Sequence, residues 1–314
     1  MFSVPASRLA GYAPFLPTPF DSKGGIDHAA FTRLCELQIG EGANALIVGD
    51  AAGEATSLSI AEFADLVGNA ARAARKRVPV LAGVVSNATL KAAEFAQRAE
   101  QSGADALLCG APYYNKPTQE GVFAHFQWIA ESSSLPIFLH DAPARTACPI
   151  ADATFARLAA LPPFVGLVDA TGDMARPSRL RALAGPDFRL LSGDDKSALS
   201  FLAQGGDGCA SLASNVAPGI CRNMYLAYRH GQISRAQRLS LALAPLAAFL
   251  ARDGNPAALK AALAALGLMS PALRRPLVAI EDSHEIETIL ADLVGGYGEY
   301  LIVQHHAPAR AAAI

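Results

Sequence analysis

Long apolar runs are missing from this 314-residue chain, which has no stretch of about 20 uninterrupted apolar residues to span a bilayer. A basic segment followed by an apolar core is missing from the N-terminus, so Met1 to Arg8 does not read as a signal peptide. An excess of either charge is missing too. Twenty-six Lys and Arg stand against 28 Asp and Glu, a net charge of −2, which argues against nucleic acid or an anionic membrane as partner. Cysteine is sparse and unpaired in pattern: Cys35, Cys109, Cys148, Cys209 and Cys221 are odd in number and show no Cys-x-x-Cys spacing. That excludes a disulfide framework or a zinc site of ordinary spacing and points to buried thiols in the cytoplasm. The adjacent His305 and His306 near the C-terminus read as incidental, so no metal site is expected, and no cofactor either. What is present is a chain 52% hydrophobic and 17% charged, the balance of a globular protein with a sizeable core.

Short apolar runs recur along the chain with helical patterns between them. They fall near 13–20, 44–48, 77–85, 104–109, 135–140, 164–169, 188–192 and 205–213. Amphipathic segments separate them, such as 27–42, 59–75 and 119–131, and Asn87 is placed to cap the helix that runs to about Ser102. A strand followed by a helix, repeated, implies parallel strands, because a parallel pair needs a crossover and a helix supplies it. Eight such units predict an α/β fold of the (β/α)8 TIM-barrel type, with an open doubly wound sheet as the rival. Beyond Pro218 the strands stop and helices follow. The division expected is a barrel over 1–231, a C-terminal helical domain over 232–300 and a tail over 301–314.

Several motifs carry a family likeness. Phe164-Val-Gly-Leu-Val-Asp-Ala-Thr-Gly172 reads as a buried strand ending in a tight turn. With Ala111-Pro-Tyr-Tyr-Asn-Lys-Pro117, Ala142-Pro-Ala-Arg-Thr146, Leu191-Ser-Gly-Asp-Asp195, Gly205-Gly-Asp-Gly208 and Asn255-Pro256…Lys260, it resembles the dihydrodipicolinate synthase / N-acetylneuraminate lyase family, the pyruvate-dependent class I aldolases. The likeness spans about residues 10 to 295. It implies a barrel with its site at the strand C-termini, a homodimer or homotetramer, and a small-molecule ligand: a 2-oxo acid, an aldehyde or a related carboxylate.

At the reactive centre the sequence departs from that pattern. The family's sixth strand carries a lysine that forms a Schiff base with a 2-oxo acid; here that position is Val168. A Schiff base needs a primary amine of lowered pKa, which valine does not have. The paired threonines of the loop after strand two are Ala51 and Ala52, and the tyrosine ending strand five is His140. The resemblance places Tyr113 at a subunit contact, Tyr114 in a proton relay and Arg145 on a substrate carboxylate. Ala51, Ala52, Arg145 and Ala210 are the positions expected to meet substrate, and His140 and Tyr114 are the candidate acid–base groups. Lys116 and Lys196, the lysines expected at the C-terminal face, read as surface residues. Side chains alternate along a strand, so with His140 and Val168 facing inward, Asp141 and Asp169 face the helices and tie loops. Two functional readings follow: a diverged lyase that works without an imine, or a non-catalytic binding or assembly protein on the same barrel.

Overall fold

The computed structural model describes residues 9–252 and 255–302. The segment before residue 9 and the pair His305 and His306 lie outside the described residues. Eight parallel strands form one sheet in the order β1-β8-β7-β6-β5-β4-β3-β2. They are β1 Gly11–Pro14, β2 Leu46–Val48, β3 Val80–Val84, β4 Ala106–Gly110, β5 Ile137–Asp141, β6 Phe164–Asp169, β7 Arg189–Ser192 and β8 Gly208–Ser211. A parallel bridge between Phe15 and Ile47 joins the two ends of that order, so the sheet closes on itself. The (β/α)8 barrel is therefore the observed fold, and the open sheet is set aside.

The outer ring comprises α1 His28–Gly40, α2 Ile60–Ala74, α3 Thr89–Gln101, α4 Gln119–Ser132, the single turn α5 Pro143–Thr146, α6 Asp152–Ala159, α7 Arg176–Ala184, α8 Ala198–Ala203 and α9 Pro218–Arg229. Helix α2 starts where Ser59 and Glu62 form a reciprocal capping box. Helix α3 differs from expectation: its N-cap is Ala88, which makes no side-chain cap, and the Asn87 carbonyl instead accepts a hydrogen bond from Asn115 at 2.8 Å. Strand one is also shorter than its apolar run, because prolines at 14, 17 and 19 remove amide donors from the ladder.

Strand register fixes which residues fill the barrel. Gly110, His140, Val168 and Leu191 stand side by side on β4 to β7. Ala13 and Ala210 pair on β1 and β8. Position 166 takes glycine because the Phe138 ring lies 2.1 Å from where a Cβ would stand. Helices α10 Ile233–Leu250, α11 Asn255–Ala265 and α12 His284–Tyr297 follow α9. Their Leu243, Leu246, Leu259, Leu263 and Ile286 belong to the same apolar cluster as Ile47, Phe138 and Val168. No helix among the described residues is long and apolar enough to cross a membrane.

Candidate active site

A cavity of about 320 Å³ opens at the C-terminal ends of β2 to β5. Asp50 and Ala51 line it from the β2 loop, Val85 from beyond β3, Gly110 and Tyr113 from β4 and its loop, and His140 and Arg145 from β5 and α5. The chain segment Arg274–Leu277, between α11 and α12, closes the remaining side.

His140 and Asp50 form the polar centre. Nδ1 of His140 lies 3.1 Å from Oδ2 of Asp50, and both residues are buried. A carboxylate only accepts, so in this pair Nδ1 carries the proton. Among the described residues Nε2 has no hydrogen-bond partner. Phe15 stacks on the imidazole at 5.7 Å between ring centroids and fixes its plane. The other Asp50 oxygen accepts the Ala51 N–H at 2.6 Å. Burial alone would raise the Asp50 pKa, but the positive charge His140 carries when protonated, their hydrogen bond and the Ala51 amide hold it below the usual carboxylate value.

Glu54 sits in the left-handed region at φ 56° and points to a fully buried Lys260, Oε1 to Nζ 2.5 Å. Lys260 also donates to the Ala272 carbonyl at 2.9 Å, and burial lowers its pKa against the opposing pull of Glu54. Arg274 donates its backbone N–H to Glu54 at 3.0 Å and its guanidinium to Glu62, the Gly24 carbonyl and the Ser57 carbonyl. This network ties the β2 loop to the segment that walls the cavity.

Several positions singled out in the sequence gather here and others do not. Ala51, His140 and Arg145 line the cavity. Ala52 is buried in the apolar core, and Ala210 packs inside the barrel at β8; neither reaches the cavity. Val168 is fully buried beside His140 in register, below the cavity wall. The two tyrosines lie differently within the chain. Tyr113 lines the cavity, whereas Tyr114 is 88% exposed at φ 70° and turns away from it within one chain. Asp141 and Asp169 do face away from the cavity, as alternation implies. Asp141 accepts from the Ile150 amide, Asp169 from the Thr171 amide, and both carboxylates meet Arg176. Among the described residues no group of three or more His, Cys, Asp or Glu is placed to hold a metal ion.

Sequence reasoning missed Glu54, Arg274 and Arg275 as cavity residues. The signal available was the pair Arg274-Arg275 immediately before Pro276, a basic dipeptide in an otherwise apolar loop.

Fold and cavity together define a (β/α)8 barrel with an open cavity at the strand C-termini, the end where barrel sites form. The chain belongs to the dihydrodipicolinate synthetase family, whose model matches residues 8–292. It is 44% identical over 272 residues to the 4-hydroxy-tetrahydrodipicolinate synthase of Gluconobacter oxydans, covering 87% of this chain and 92% of that protein. It is 45% identical over 269 residues to the enzyme of the same name from Chelativorans sp., covering 85% and 92%. Among solved structures it superposes with TM-score 0.87 and 35% identity on the chloride-inhibited dihydrodipicolinate synthase of Acinetobacter baumannii complexed with pyruvate, covering 90% of this chain and 98% of that one. The 4-hydroxy-tetrahydrodipicolinate synthase of Methylacidiphilum fumariolicum SolV gives TM-score 0.89 and 35% identity, covering 93% and 98%. At the level of family this is therefore a lyase scaffold of the aldolase kind.

Proposed function

We propose that this protein acts on a small carbonyl-bearing carboxylate by acid–base chemistry at His140, without a lysine imine. The observation that carries the reading is the His140–Asp50 pair facing the cavity; the family resemblance adds that Val168 takes the position of the lysine. Arg145 anchors the carboxylate. Nε2 of His140 takes a proton from the carbon beside the carbonyl, and the electron pair moves onto the carbonyl oxygen, where positive groups lining the site stabilise it. Tyr113 replaces Tyr114 as the phenol at the cavity. Pyruvate is bound in the Acinetobacter relative, so 2-oxo acids are the first ligands to try. By family likeness the protein assembles as a homodimer or homotetramer in the cytoplasm, its barrel at 1–231 carrying the site and its helical unit at 232–300 bracing it.

The lysines near the cavity do not offer an alternative amine. Lys260 is fully buried and ion-paired to Glu54. Lys116 and Lys196 are exposed and absent from the cavity lining. Incubation with pyruvate and borohydride, followed by intact-mass analysis, is expected to leave the protein at its native mass. A stable adduct on any lysine would remove the central premise. A second reading, a binding protein without turnover, draws support from the loss of hydroxyls at Ala51 and Ala52. It predicts ligand binding that His140→Gln leaves intact.

A further inference from the structure

The cavity carries more positive charge than its own acids neutralise. Two acidic side chains line it. Glu54 is paired with the buried Lys260, and Asp50, hydrogen-bonded to His140, is also within electrostatic reach of Arg145, so one carboxylate stands against two further arginines. Arg274 is matched in turn by Glu62 and two carbonyls. Two other guanidiniums, Arg145 and Arg275, line the same space and have neither a hydrogen bond nor an ion pair from their side chains among the described residues. Arg145 comes from α5, after β5. Arg275 comes from the segment between α11 and α12, a different wall of the cavity. The same lining includes small and apolar residues, Val85, Ala111, Ala142, Pro276 and Leu277 among them.

An unpaired guanidinium at a pocket wall is a planar, always charged fork suited to one carboxylate. Two such forks on separate elements, with His140 also on the wall, describe a ligand with an anionic group at each end and a short apolar middle. Building on the proposed function, we infer that the substrate is a dicarboxylate carrying a 2-oxo group. One carboxylate rests on Arg145, the other on Arg275, and the reacting carbonyl faces His140. Arg275 is then a specificity residue: it selects the second carboxylate and touches no reacting atom. The cavity volume, at the small end for ligand pockets, suits a chain of about five or six carbons.

Titration calorimetry with matched acids tests this. 2-Oxoglutarate and 2-oxoadipate carry the second carboxylate; 2-oxobutanoate lacks it; glutarate lacks the oxo group. Wild type is expected to bind the better oxo-dicarboxylate at least tenfold more tightly than 2-oxobutanoate. Arg275→Gln is expected to erase that advantage and leave 2-oxobutanoate within twofold of wild type. Its melting temperature should stay unchanged, because the replaced side chain is exposed and unpaired. The inference is overturned if dicarboxylates bind no more tightly than 2-oxobutanoate, if none of the acids binds at millimolar concentration, or if Arg275→Gln weakens mono- and dicarboxylates alike. His140→Gln and glutarate separate this from the broader reading. If glutarate matches 2-oxoglutarate and His140→Gln changes neither, the carbonyl chemistry fails while the two-anion site stands.

Discussion

Val168 and Arg176 show what a single side chain discloses and what it conceals. Strand alternation alone put Val168 and His140 on one side of the barrel wall and Asp141 and Asp169 on the other, and the register agrees. Alternation does not say what meets those carboxylates, because the partner lies on a later helix. Arg176, at the start of α7, reaches back to Asp141 at 2.7 Å, Asp169 at 3.3 Å and Asp152 at 3.1 Å, and donates to the Ile150 carbonyl at 2.6 Å. The guanidinium and the Asp141 and Asp169 carboxylates are buried. Burial raises the Asp141 pKa even against the opposing charge of Arg176. Arg176→Met would leave two carboxylates buried together without a cation, a loss of about 3–5 kcal/mol. Thermal unfolding should show a large drop for Arg176→Met, and Asp141→Asn with Asp169→Asn in that background should restore much of it. A melting point unchanged by Arg176→Met would mean the cluster contributes nothing.

At the scale of elements, local signals read well and distant ones poorly. The apolar pattern placed a helix over 59–75, and the capping box of Ser59 and Glu62 starts it there. Its second employment was not visible, since Arg274 comes from more than two hundred residues further on. The Arg274 guanidinium holds the Glu62 pKa down to about 2, and the amide and hydroxyl of Ser59 add to this. With a folded pKa below its unfolded value of 4.5, Glu62 contributes stability that is whole above pH 4.5 and lost as the pH falls towards about 2. Glu62→Gln should therefore lower the melting temperature at pH 7 by the equivalent of about 1 kcal/mol, a modest figure because water reaches the pair. The gap between variant and wild type should close as the pH is lowered through that window. Parallel melting curves, with a gap independent of pH, would contradict this account. The cap expected at Asn87 shows the same limit from the other side. Asn is a good cap by local chemistry, yet the chain spends the Asn87 carbonyl on the β4 loop and starts α3 without a side-chain cap.

For the whole molecule, the question is why helices beyond the barrel matter to a site built on strands two to five. The barrel was legible because eight apolar runs alternate with helices; the cavity was not, because one of its walls is made by residues 274–277, far along the chain. Lys260 of α11 joins the two halves. Its ammonium is fully buried, paired with Glu54 and set over the Phe20 ring at 4.2 Å. Removing one partner of such a pair leaves the other charge buried and unpaired, and costs more than the pair itself is worth. Lys260→Met and Glu54→Gln should each destabilise strongly, by about 3–5 kcal/mol for a stranded charge in the lysine variant. The double variant should be more stable than the sum of the two losses, because neither charge remains. Unfolding midpoints for the four proteins of that cycle measure the coupling directly. Additive losses would show that α11 and the β2 loop are held together by apolar packing alone. A positive coupling would show that the wall carrying Arg275 is set in place by the same ion pair that orders Glu54, so that the shape of the cavity depends on the C-terminal helices as much as on the barrel.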